Sequence, residues 1–248
     1  MNAPLHPPRL SVVIPAYNEE KLITGTVTGA AASLRAAGLD ETGFEIIVCD
    51  NASTDDTAAL AAAAGARVVH EPERQIARAR NAGAAEARAP WLLFLDADSW
   101  PDAALMAELL ATLDDEGVVA GGCTMRMEGA SAAIRAGVVL WNLTSRLCRW
   151  GAGAFIFCRA EAFRAIGGFG LDFYVAEELD FSRRIKRWGA PRGLRFRILH
   201  RHPLRTSGRK GTLYSHREFA SLLLSMVRHP RRFFRDRQLL YLWYDGRR

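Results

Sequence analysis

At 248 residues, 49% hydrophobic and 24% charged, the chain is neither disordered nor collagen-like or fibrous, and it has length for one large domain or one domain with a small appendage. Its net charge of +6 hides an asymmetry: residues 1–124 carry 8 Lys+Arg against 18 Asp+Glu and residues 125–248 carry 25 against 9, so the halves stand at −10 and +16. An acidic half suited to a cation and a basic half suited to phosphates fit an anionic substrate that brings its own metal, although the basic half alone would also suit nucleic acid or an acidic membrane.

Leu10-Ser11-Val12-Val13-Ile14, ended by Pro15, predicts a buried strand. A helix is expected over 20–37, a second strand over 44–49, and a helix capped by Ser53 or Thr54 through the alanine tract to Gly65. A short strand at 67–69, a helix over 75–87 and a wholly apolar strand over 91–95 follow. Strands without polar alternation, separated by helices, predict a mostly parallel, Rossmann-like sheet with helices on both faces. Such sheets bind ligands beyond the carboxyl ends of their strands, where this chain places Tyr17-Asn18-Glu19, Asp50-Asn51 and Asp96-Ala97-Asp98. After Pro101 a helix is expected to about 114, and the alternation then becomes irregular. Strands are predicted over 118–127 and 153–159, with 130–150 unassigned between them. A helix over 177–188, a strand over 194–199, a basic loop over 200–212 and closing helices over 214–227 and 230–244 complete the chain.

Asp96-x-Asp98 at the end of a buried strand sets two carboxylates where Mg²⁺ or Mn²⁺ is held together with substrate phosphates, a solvated turn being the plain alternative. Four segments share an order and spacing with a known family. Ser11-Val12-Val13-Ile14-Pro15-Ala16-Tyr17-Asn18-Glu19-Glu20, Ile47-Val48-Cys49-Asp50-Asn51-Ala52-Ser53-Thr54-Asp55, Ala79-Arg80-Asn81-Ala82-Gly83 and Leu93-Phe94-Leu95-Asp96-Ala97-Asp98 together resemble the family 2 glycosyltransferases, inverting enzymes of GT-A fold. The resemblance implies a nucleotide-sugar donor, of which a UDP-sugar is the first expectation, a sugar, lipid-linked or other hydroxyl acceptor, and a setting in cell-envelope polysaccharide or glycolipid synthesis. It implies that Pro15, Tyr17 and Glu19 line the nucleoside pocket, that Asp50 accepts hydrogen bonds from the base, and that Arg80 reaches the base or diphosphate. Asp96 and Asp98 would meet the donor diphosphate and its cation. Residues 1–100 would then form the nucleotide-sugar half, 101–212 the acceptor and catalytic half of the same domain, and 213–248 a C-terminal helical extension.

The family's catalytic base sits in a Glu-Asp pair opening a helix, and Ala176-Glu177-Glu178-Leu179-Asp180 stands in that place with Glu178 where the Asp is usual. Glu178 shares a helical face with Phe181, Ile185 and Trp188, so it is expected to point inward as the base, with Glu177 to one side beside Asp180 and Arg184. The helix N-terminus would favour its ionised form. Gly153-Ala154-Phe155-Ile156-Phe157 and Ile166-Gly167-Gly168-Phe169 resemble the family's acceptor-side strand and loop. In the basic loop, His200 or His202 could complete the metal site, and Arg209 or Lys210 could clamp the departing diphosphate.

The aromatic and arginine-rich stretch 228–248 suits either a helix packed on the domain or peripheral contact with an anionic membrane. The four cysteines lack disulfide-scaffold density, and no signal-peptide pattern opens the chain, so a cytoplasmic location is expected, at most peripheral to the inner membrane face. A rival for the Asp-x-Asp motif is a magnesium-dependent phosphatase of the haloacid dehalogenase type, but there the motif follows the first strand. No nucleic-acid partner is expected, because no RNP or Cys-x-x-Cys signature accompanies the basic half.

Overall fold

A computed structural model describes residues 7–174 and 176–207. Strands β1 (Leu10–Ala16), β2 (Phe44–Asp50), β3 (Arg67–His70) and β4 (Trp91–Leu95) alternate with helices α1 (Ile23–Ala36), α2 (Thr57–Ala63) and α3 (Ile76–Ala85). The second half contributes β5 (Ser99–Trp100), α4 (Ala103–Leu113), β6 (Val118–Glu128), α5 (Ala132–Cys148), β7 (Phe155–Arg159), α6 (Ala160–Ala165), α7 (Glu177–Gly189) and β8 (Arg195–Ser207). All eight strands form one sheet in the order β3-β2-β1-β4-β7-β6-β8-β5. The β1, β2, β3 and β4 neighbours pair in parallel, whereas β7 is antiparallel to both β4 and β6. The two halves therefore share a single sheet across the β4–β7 seam.

Alternation along the strands divides the core into two layers. Leu10, Val12 and Ile14 of β1 with Leu93 and Leu95 of β4 face one way, against α1 and α4. Val13, Leu92 and Phe94 face the other way, against α3, α6 and α7. Within that second layer Phe94, Phe163, Phe169 and Phe181 form an aromatic cluster, Phe169 and Phe181 stacked with centroids 4.5 Å apart. Phe181 thereby anchors α7 and its pair of glutamates at the rim of the sheet.

Two expectations are corrected. The unassigned segment at 130–150 is the helix α5. The loop expected from residue 200 is, through Ser207, a continuation of β8, which pairs with β6 and β5. Cys123 pairs with Leu199 and Met125 with Leu204, so β8 spends five residues where β6 spends two. His200, Arg201, His202 and Pro203 occupy this bulge, where a proline costs no ladder hydrogen bond. The sheet is mostly parallel, as expected: β6 and β8 also pair in parallel, while β7 and β5 run antiparallel to their neighbours. Arg209, Lys210 and residues 213–248 lie outside the described residues.

Candidate active site

The loops beyond β1 and β2 are bound to each other by their own polar side chains. Asn18, in a left-handed conformation at φ 52°, accepts at Oδ1 from Thr54 N at 2.8 Å, and its backbone N–H donates to Ser53 Oγ at 3.0 Å. Glu19 N donates to Thr57 Oγ1 at 2.8 Å, and Glu20 N to Asp55 at 3.2 Å. Asn51 then reaches forward, donating to the carbonyls of Glu71 and Glu73 and accepting from Gln75 N. The polar residues that follow the strands thus make the rim of the sheet rigid.

This rim walls a cleft of about 730 Å³. Pro15, Tyr17, Glu19, Asn51 and Arg74 line one end, Asp96 and Asp98 its floor, and Glu177 and Glu178 the far wall. Met125, Met127 and the inner face of α5, including Ile134 and Trp141, close the remaining side. Arg74 stacks its guanidinium 3.7 Å from the ring centroid of Tyr17, which gives this end of the cleft a cationic surface. Asn51 follows β2 where the strand-end rule places it, whereas nothing in the local sequence marked Arg74 or Trp141, because each is brought to the cleft by tertiary packing.

Arg80 stands differently from its expected role. Its side chain is 1% exposed; Nη1 donates to Glu177 Oε1 at 2.6 Å, and Nη2 to Asp96 Oδ1 at 3.1 Å and to the Gly153 carbonyl at 3.0 Å. The guanidinium also lies over Phe169, 5.2 Å from the centroid. Burial works against its charge, but Asp96, Glu177 and Glu178 outweigh that and hold its pKa above the ordinary arginine value. Both of its Nη atoms are taken up by the protein's own carboxylates and the Gly153 carbonyl, although the residue still borders the cleft. Its neighbours likewise face the protein: Asn81 pairs through both amide atoms with the backbone of Phe169, and a Cβ on Gly83 would come within 2.5 Å of Val13 Cγ1.

The two glutamates exchange their expected orientations. Glu177 is the inward one, 3% exposed and paired with Arg80, while Asp180 pairs with Arg184 at 2.6 Å without it. Glu178 is only partly buried and opens on the cleft. Its pKa is pushed up to about 8, first by burial and then by the Glu177 charge, with Arg80 pulling the other way. Desolvation and a like charge therefore override the helix N-terminus that was expected to keep it ionised. Ala176, at φ 67°, makes the sharp entry to α7 that sets both carboxylates in place.

Asp50 is buried at the end of β2, accepting from Ser53 N at 3.2 Å and lying 3.2 Å from His70 Nδ1, and Asn51, not Asp50, stands among the cleft-lining residues. His200 is exposed on the β8 bulge and borders a different hollow with Asp115, Arg146 and Arg195. It is not brought to Asp96 and Asp98. Among the described residues no three His, Cys, Asp or Glu side chains gather into a metal set. Two carboxylates at a strand end nonetheless fit Mn²⁺ or Mg²⁺ in the mode where substrate phosphate and water complete the coordination.

Residues 11–166 match the sequence profile of glycosyl transferase family 2. An uncharacterized glycosyltransferase of Mycobacterium tuberculosis (strain ATCC 25618 / H37Rv) is 33% identical over 141 residues, 55% of this chain and 60% of that protein. The match thus spans little more than half of that relative's length. Among solved structures, a mannosyltransferase from Pyrobaculum calidifontis in complex with GDP-Man and Mn²⁺ is 21% identical with a TM-score of 0.64, over 97% of this chain and 71% of that one. S. aureus TarS 1–349 in complex with UDP is 19% identical with the same TM-score, over 80% of this chain and 60% of that one. The fold is therefore GT-A. The phosphatase alternative is not supported: Asp96-x-Asp98 follows the fourth strand and lies within the matched region.

Proposed function

The chain belongs to glycosyl transferase family 2, and from that premise we propose that it moves a sugar, with inversion, from a nucleoside-diphosphate sugar to a hydroxyl acceptor. The observation that carries this is the meeting, in one cleft, of the strand-end carboxylates Asp96 and Asp98 with the α7 carboxylate Glu178. The UDP and GDP-Man held by the similar structures make those two nucleotides the first donors to test. The donor would lie along the β1 and β2 ends, with its nucleoside by Pro15, Tyr17, Glu19 and Arg74 and its diphosphate over Asp96 and Asp98. A Mn²⁺ or Mg²⁺ ion held there would offset charge developing on the leaving diphosphate.

Glu178 takes the proton of the acceptor hydroxyl. The freed oxygen forms its bond to the anomeric carbon as the bond to the diphosphate oxygen breaks, with no covalent enzyme intermediate. With its pKa pushed up to about 8, the carboxylate is a stronger base than an ordinary glutamate and acts in its ionised form at slightly alkaline pH. Glu177 and Arg80 act through others, Arg80 fixing Asp96 and Glu177 fixing α7. Asp50 supports the nucleoside end from behind Asn51, and it meets a base only if that base displaces His70, whose ring is largely exposed.

Calorimetric titration with UDP and GDP, with and without Mn²⁺, tests the assignment. Asp98→Ala is expected to keep its melting temperature and lose the Mn²⁺-dependent affinity. Unchanged affinity would refute the carboxylates' role. Glu178→Gln, once an acceptor is known, is expected to lower kcat by about 10²–10⁴-fold with donor affinity kept.

A further inference from the structure

Helix α5 carries no acidic residue, and it is apolar on two opposite sides. Ile134, Gly137, Val138 and Trp141 line the cleft. At about 100° per residue, Val139, Leu140, Leu143 and Leu147 fall together on the other side, within about 100° of arc. These four leucine and valine side chains are 51–84% exposed, against a core in which such residues are almost wholly covered. Ala132 and Ala136 extend the stripe toward the N-terminus, and both are exposed. Arg135 and Arg146, also exposed, fall along one edge of it. Asn142 pins the helix to β6 by donating to the Met125 carbonyl at 2.9 Å and accepting from its amide at 3.0 Å, so the stripe is held outward by a built contact.

The C-terminal end of α5 runs into a basic hollow of about 290 Å³ lined by Arg146, Arg149, Arg195, Arg197 and His200. Asp115 pairs with Arg195 and Arg197 and offsets part of their charge, while Arg146 and Arg149 are left in excess. An apolar stripe edged by arginine, leading into a cationic basin, has the character of an interfacial helix. We propose that the outer face of α5 and this basin dock the protein on an anionic lipid bilayer. The chemistry matches on both counts: the leucines enter the acyl boundary, and the arginines meet headgroup phosphates. Since the inner face of the same helix lines the cleft, docking brings the cleft beside the bilayer. A lipid-borne hydroxyl is then the acceptor class favoured, a consequence that rests on the transferase reading.

The test is flotation of the full chain with phosphatidylcholine vesicles, with and without phosphatidylglycerol. Binding is expected only with the anionic lipid, and it should weaken as salt is raised. Leu143→Ser with Leu147→Ser should reduce partitioning at least about tenfold, and Arg146→Glu with Arg149→Glu should abolish its dependence on phosphatidylglycerol. All four residues are exposed, so the variants are expected to melt as the parent does. Full flotation by both double variants would overturn the proposal, as would failure of the parent to float. A parent that sediments as a dimer which Leu143→Ser with Leu147→Ser dissociates would also overturn it, assigning the stripe to a second copy. UDP and GDP titration with Mn²⁺ reports on the transferase reading independently, because none of these residues lines the donor end.

Discussion

Replacing Arg80 by methionine isolates the ion-pair chain that orders the cleft. The substitution keeps most of the apolar contact with Phe169 but strips three acceptors of their donor: Glu177, Asp96 and the Gly153 carbonyl. Asp96 is 30% exposed and can turn to water, whereas Glu177 is left as a buried carboxylate with only 4% of its side chain exposed. Removing one partner of such a buried pair costs about 3–5 kcal/mol. For a chain of this size each kcal/mol lowers the melting temperature by about 2–4 °C, so a fall of roughly 6–20 °C is expected. Urea titration without nucleotide measures it free of ligand linkage. Adding Glu177→Gln removes the stranded charge, and the double variant should recover about 1–3 kcal/mol of the loss. Arg80→Lys should fall between, since an ammonium cannot bridge the same fork of acceptors. A cost under about 1 kcal/mol for Arg80→Met, or strict additivity in the double variant, would refute the account of a charge pair that holds α7 to α3.

The raised pKa of Glu178 carries a pH signature. Its carboxyl keeps its proton to about pH 8 in the folded chain and releases it near 4.5 when unfolded, so its contribution to stability is full below 4.5 and lost as pH rises through 8. Glu178→Gln should therefore gain on the parent in melts at pH 8.5 relative to pH 5, and parallel pH curves would contradict this. Gly83→Ala drives a methyl into Val13 in the packed layer between α3 and β1 and should cost about 1–3 kcal/mol by denaturant titration. A thiol reagent should label Cys148 alone in the native protein, because Cys49, Cys123 and Cys158 are buried and burial pushes the Cys49 thiol up to about 12; rapid labelling of more than one thiol would deny that packing.

The parallel half was legible because β1, β2 and β4 are covered on both faces, so their apolar runs are unbroken and every polar residue that follows them stands out. The second half hides the same information. Helix α5 is apolar toward the cleft and again toward the outside, which leaves no single stripe for periodicity to find. Strand β8 carries His200, Arg201, His202 and Pro203 in mid-course, and those four read as a loop because they occupy the bulge where β6 has no partner for them. The motif 79–83 was recognisable as a motif, but its chemistry was assigned to a ligand when the structure turns Arg80 and Asn81 toward the protein.

The exchanged orientations of Glu177 and Glu178 have a cause that lies outside their own helix. On a helix with about 100° per residue, Phe181 and Ile185 fall between the directions of Glu177 and Glu178, so both carboxylates flank the buried stripe and helical geometry alone does not choose between them. The choice is made by Arg80, 97 residues earlier in the chain, which is held in place by the aromatic cluster and the Gly153 carbonyl before it meets either glutamate. Glu177 supplies the counter-charge that a buried guanidinium requires, and Glu178 is thereby left to face the cleft. Its raised pKa comes first from burial and then from the neighbouring Glu177 carboxylate that Arg80 draws inward, while Arg80 itself pulls the other way. One buried arginine thus sets which carboxylate is drawn into the protein and which one is left at the cleft.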